Sequence, residues 1–185
     1  MTSLRTATAL LAGCLLAVTA CSSGGSSTPP AASEADVVAW MDKVCGAVNG
    51  TVQSMSDEPK IDMNDPSALK AGLSEWLNGK VAAIDRSIAD LKALENGPHP
   101  KSKELATAAE NGLGQAKTLL ADTRSKLDST TDATQIIAAF TEMLGKAATM
   151  DKTGAEVQKK FDETGLGEVS KKAANCKGLA AAPAS

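Results

Sequence analysis

The segment DPSALKAGLSEWLNGKVAAIDRSIADLKALENGPHP, residues 65–100, decides the fold class. Asp65 before Pro66 is a helix start: a side-chain acceptor for the first free N–H groups, then a ring whose missing N–H costs nothing at the first helical position. Leu69, Leu73, Trp76/Leu77, Ile84, Ile88 and Leu91 follow at a period near 3.6, so one stripe of a long helix is apolar. Asn78-Gly79 interrupts the run and is a candidate bend. Asn96-Gly97-Pro98-His99-Pro100 then ends it, because two prolines cannot continue the hydrogen-bond ladder.

The same pattern repeats on both sides. Upstream, Ser33-Glu34-Ala35-Asp36 opens a helix in capping-box style, with Asp in place of the usual Glu or Gln. Val37, Met41, Val44, Val48 and Val52 form its predicted inner face, with Cys45 beside them and Asn49-Gly50 weakening its end. The stretch 56–64, polar and containing Pro59, reads as a loop. Downstream, a third helix begins near Ser102, carries Leu105, Ala109, Leu113, Ala116, Leu120 and Leu127, and breaks at Asp128-Ser129-Thr130-Thr131. Asp132 caps a fourth, with Ile136, Phe140, Met143/Leu144, Ala147, Met150, Val157 and Phe161 inward and Gly154 loosening it. Gly165-Leu166-Gly167 is a turn, and 168–175 a short last helix that delivers Cys176. No long segment alternates at period two. The expected fold is all-α: an up-down-up-down four-helix bundle with a short C-terminal helix, spanning 33–177, followed by a disordered tail at 178–185.

The first residues read as an address. Met1 to Thr6 carries one side-chain cation, Arg5, and an apolar run of about a dozen residues ends at Val18. That matches the core of a signal peptide and falls short of the ~20 residues that span a bilayer. Leu11-Ala12-Gly13-Cys14 fits a lipobox by letters, and Val18-Thr19-Ala20-Cys21 fits more loosely. Length favours the second, since cleavage before Cys14 strands Leu15-Leu16-Ala17-Val18 at the mature N-terminus. The expectation is a signal peptide at 1–20 and a lipid, palmitate among its acyl chains, on Cys21. A Ser/Gly/Pro-rich tether follows at 21–32. An ordinary secretory signal with an incidental cysteine is the alternative. Export leaves Cys45 and Cys176 in an oxidising compartment, where they are expected to pair; two free thiols are the alternative. Ser33 to Cys45 and Gly165 to Cys176 are of similar length, so a last helix folded back along the bundle brings the sulfurs to similar heights.

Composition removes other classes. The formal net charge is −3, and losing Arg5 with the signal makes it one unit more negative, so no nucleic acid is expected as a partner. Four aromatic residues (Trp40, Trp76, Phe140 and Phe161) are too few to build a sugar or choline platform beside a core. His99 lies between prolines without a nucleophile or orienting group, so no catalytic site is expected and the chain is not read as an enzyme. Asp62, Asn64 and Asp65 lack the glycine and closing glutamate of a calcium loop. Met143 and Met150 read as core, and Lys159-Lys160 and Lys171-Lys172 as solvated faces. No metal and no cofactor is expected.

Val38-Ala39-Trp40-Met41-Asp42-Lys43-Val44-Cys45 behind a lipobox and linker, with the late Ala173-Ala174-Asn175-Cys176, resembles a family of small secreted actinobacterial lipoproteins. The resemblance implies an envelope lipoprotein with a helical domain and no established activity. The expected function is therefore a helical binding or interaction module held at the outer face of the cytoplasmic membrane through Cys21. Its partner would be an envelope protein or lipid. A structural envelope component without a ligand, or a lipid or small-ligand carrier, are the alternatives.

Overall fold

The computed structural model describes residues 32–180. The expected signal peptide, Cys21, most of the tether and the tail beyond Ala180 lie outside the described residues. Pro66–Ala93 is one unbroken helix, α2 in chain order, after α1 (Glu34–Met55). Asp65 accepts hydrogen bonds from Ser67 N–H at 2.8 Å and Ala68 N–H at 3.2 Å, as its cap position requires. Asn78-Gly79 does not interrupt α2; both residues lie on its exposed side, away from the packing stripe.

α2 forms an antiparallel hairpin with α3 (Ser102–Asp128). Lys70 donates to the carbonyls of Asp128 and Thr130 at one end, and Lys103 meets Glu95 at the other. α1 runs antiparallel along the second half of α2, with Trp40 Nε1 donating to the Leu94 carbonyl at 2.9 Å. α4 (Ala133–Ala148) covers the first half of α2 and the end of α3, and α5 (Asp151–Glu163) returns along the start of α3. Among the described residues there is no strand, and the fold is all-α as expected.

Three details depart from the expected bundle. The fourth helix is two, broken at Thr149-Met150, several residues before Gly154. The break lets Ile136 and Met143 join a cluster with Leu69, Leu73, Leu77, Ile84, Leu120 and Leu127, while Phe161 reaches another around Met41, Val44, Leu91 and Leu105. The last helix is also two: α6 (Gly167–Lys172) and α7 (Ala174–Ala180) meet at the extended Ala173. α7 runs past Lys177, where the tail was expected, because Leu179 packs against the first cluster. The predicted faces also shift. Val52, Leu144 and Ala147 are exposed and Val48 is half-buried. Successive steps of four residues rotate about 40° off a fixed face; α1 therefore buries Ala47 and Thr51 instead. Gly165, at φ 72°, makes the left-handed turn into α6, and Leu166 beside it is fully buried.

Candidate functional site

The two cysteines meet where the last segment crosses α1. Cys45 and Cys176 form a disulfide with Cα atoms 5.0 Å apart, inside the first apolar cluster. α6 and α7 run parallel to α1, since Lys172 pairs with Glu34 near its start and Asn175 with Asp42 further along. Asn175 is held from several directions. Its backbone N–H donates to the Asp42 carboxylate at 2.8 Å, its amide to the same carboxylate at 3.0 Å, and its carbonyl accepts from Asn49 Nδ2 at 2.5 Å. Gly46 leaves room for this amide: a Cβ there would stand 3.2 Å from it. The C-terminal segment is thus a strap, stapled by sulfur and clamped by Asp42, Asn49 and Asn175.

On the other flank of α1 lies a groove of about 610 Å³, between α1 and the second half of α2. Gly46, Ala47, Gly50 and Ala83 line it with small side chains, and Lys43, Arg86 and Asp90 carry its charge. Below it Thr51 Oγ1 donates to Ser87 Oγ at 2.7 Å, and Ser87 Oγ donates to the Ala47 carbonyl at 2.7 Å. These buried hydroxyls are fully used in joining the two helices.

Sequence reasoning missed Lys80. It occupies a core position between Leu77 and Ile84, is 4% exposed, and donates Nζ to the Ser54 carbonyl near the end of α1. The ammonium also faces the Asp57 carboxylate at 3.7 Å and the Trp76 ring at 5.1 Å. A cation at a helix C-terminus satisfies carbonyls that have no partner in the next turn. The signal was present: a lysine at the Leu77 + 3 position of an apolar stripe must find an anion or a carbonyl.

The carboxylates divide by environment. Glu142, between Lys126 at 2.6 Å and Lys146 at 2.8 Å, has its pKa lowered to about 2 by those hydrogen bonds and charges. Glu104 is lowered by Lys101 and Lys160. Glu110 is raised, first by burial and then by the nearby charge of Glu95. His99 Nδ1 accepts from the Lys101 N–H at 3.2 Å and helps shape the loop between α2 and α3. Asp62 accepts from Asn64 N–H at 2.9 Å in a turn, while Asp65 caps α2. Met143 is buried in the second cluster. Lys159 and Lys160 pair with Glu163, and Lys171 with Glu168. Among the described residues no group of three His, Cys, Asp or Glu is placed to hold a metal ion, and no helix is long and apolar enough to cross a membrane. Compared with known proteins, the chain matches no family model, no curated protein and no solved structure.

Proposed function

We propose that the chain is a cell-envelope lipoprotein, anchored through a lipid on Cys21 at the outer face of the cytoplasmic membrane, of the kind found among small secreted actinobacterial lipoproteins. Its helical domain serves binding rather than catalysis. The observation that carries this reading is the Cys45–Cys176 disulfide inside the core. Such a staple persists in an oxidising compartment, and so supports export. With export supported, the apolar run ending at Val18-Thr19-Ala20-Cys21 and the Ser/Gly tether behind it read as an anchor and its leash. The groove between α1 and α2 supports a second reading, capture of a small ligand. Lys43, Arg86 and Asp90 on its walls suit a polar molecule better than an acyl chain.

Intact mass of the protein purified from its native membrane tests the anchor and the staple together. The expected species begins at Cys21, carries acyl mass on that residue, and lacks the two thiol hydrogens of Cys45 and Cys176. A species beginning at another residue, or without acyl mass, overturns the anchor.

A further inference from the structure

Four of the six asparagines are followed by glycine: Asn49-Gly50, Asn78-Gly79, Asn96-Gly97 and Asn111-Gly112. In such a pair the chain can attack itself. The nitrogen of the second residue reaches the amide carbon of the first side chain, and glycine has no side chain to hinder the approach.

Exposure does not separate the four, since Asn78, Asn96 and Asn111 are all exposed. The backbone does. Asn49-Gly50 lies inside α1, Asn78-Gly79 inside α2 and Asn111-Gly112 inside α3. In a helix the glycine N–H is bonded to the carbonyl four residues earlier, and the fixed backbone keeps its nitrogen from turning toward the neighbouring side chain. The Asn49 amide is held as well, by the Asn175 carbonyl. Asn96-Gly97 alone of the four lies outside a helix, in the turn after Ala93. Among the described residues nothing accepts from the Gly97 N–H, and the Asn96 side chain has no hydrogen-bond partner. The fold also requires this glycine. A Cβ at 97 would stand 2.2 Å from Trp40 Nε1 and 2.6 Å from Ser102 Oγ, so packing fixes the residue that makes Asn96 reactive.

We propose that Asn96 is the site at which the folded protein deamidates, and that its conversion loosens the seat of Trp40. The reaction needs water alone as co-reactant. The Gly97 nitrogen gives up its proton and bonds to Asn96 Cγ. The Cγ–Nδ2 bond breaks, and the amide nitrogen takes up a proton and leaves as ammonia, so a cyclic imide joins the two residues. Water then opens the ring. Breaking the bond from Cγ to the ring nitrogen gives aspartate. Breaking the bond from the backbone carbonyl carbon to that nitrogen gives isoaspartate, whose main chain runs through Cβ and Cγ and is one carbon longer. Nothing is oxidised or reduced.

Both products disturb the same place. Each puts a carboxylate next to Glu95 at the C-terminal end of α2, where the helix dipole disfavours negative charge. Isoaspartate also lengthens a turn whose Gly97 has no spare room against Trp40. Trp40 is tied to the same turn through the Leu94 carbonyl, so a shift there frees the indole and the start of α1.

The test incubates the full chain, disulfide intact, in warm and mildly alkaline buffer, and follows each Asn-Gly pair by peptide mass mapping. In the folded chain Asn96 is expected to convert roughly tenfold faster, or more, than the other three, because a helical pair must first open its turn. In a parallel sample unfolded in guanidinium the four rates are expected to converge, since all share one dipeptide. Asn96→Gln is expected to keep its thermal midpoint and tryptophan emission through the incubation, while the parent loses midpoint and its emission moves to the red. If that variant starts with a lower midpoint, Asn96→Ser serves instead. Conversion of Asn96 no faster than that of the helical pairs in the folded chain overturns the site. A lead of Asn96 that persists unchanged in guanidinium does so too, because it would owe nothing to the fold. Equal midpoints for the incubated parent, once converted, and the incubated variant overturn the effect on Trp40. No readout involves a lipid or a ligand, so failure of the proposed function is a separate result.

Discussion

Gly97 shows how much one residue can decide. A Cβ there would stand 2.2 Å from Trp40 Nε1 and 2.6 Å from Ser102 Oγ. Those two side chains hold the loop between α2 and α3, Trp40 through the Leu94 carbonyl and Ser102 through the His99 N–H. Gly97→Ala is expected to destabilise the domain by ~1–3 kcal/mol, the usual cost of overpacking, and to shift Trp40 fluorescence to the red. An unchanged denaturation midpoint would show that the loop yields without strain. Glu110 and Glu142 are opposite cases in pH. The raised pKa of Glu110 means the folded chain holds its proton better than the unfolded one. Its contribution to stability is full below the ordinary carboxyl range and is lost as pH rises through the raised value. Glu110→Gln is expected to flatten that dependence in denaturant titrations run across pH. The lowered pKa of Glu142 gives a contribution present above the ordinary range and lost as pH falls toward about 2. Because the ion pair is exposed, stability changes little; the NMR titration of the side-chain carboxyl, with its expected midpoint at about 2, is the sensitive measurement.

At the scale of elements, capping decides where helices begin and a buried cation decides where α1 ends. Asp65→Ala removes the acceptor for Ser67 and Ala68 N–H and is expected to cost ~1 kcal/mol, read as a lower midpoint in urea. Lys80→Met keeps the apolar stem and removes the ammonium, leaving the Ser54 carbonyl with only the long bond from Asp57 N–H at 3.4 Å. Expected is a loss of ~1–3 kcal/mol with faster amide exchange at Gln53 to Asp57. Exchange rates there equal to those of the parent would remove Lys80 from its capping role. Helix identity was legible in such local signals: the Ser33 box, the Asp65-Pro66 start and the Asp132 cap all stand where the sequence puts them. The break at Thr149-Met150 was not legible. It arises because α4 and α5 serve two different apolar clusters along α3, a demand set by neighbours rather than by local propensity.

At the scale of the molecule, the disulfide closes a loop of 131 residues between α1 and the strap. Replacing both cysteines by serine is expected to cost roughly 4–5 kcal/mol in the chain-entropy account. The strap is expected to become protease-sensitive before the α2–α3 hairpin, because without the disulfide a short segment is held by the Asn175 clamp, the exposed Lys172–Glu34 pair and the packing of Leu166, Ala173 and Leu179, against the long apolar seam of the hairpin. Simultaneous cleavage of strap and hairpin would mean that the domain opens as one unit.

The sequence by itself determined that the chain is helical and where most helices start, because these follow from periodicity and caps, and the pair Cys45 and Cys176 that it led one to expect is joined in the structure. The apolar stripe within residues 65–100 lies on a single helix, Pro66–Ala93, and Asn78-Gly79, which face solvent, do not interrupt it. Only the tertiary structure decided that α1 and α4 cover opposite halves of that helix, that the strap runs parallel to α1, that Lys80 is buried, and that one side of α4 is left apolar in solvent. Those facts depend on which faces meet, and facing is set by the summed packing of distant segments, which a one-dimensional period does not encode.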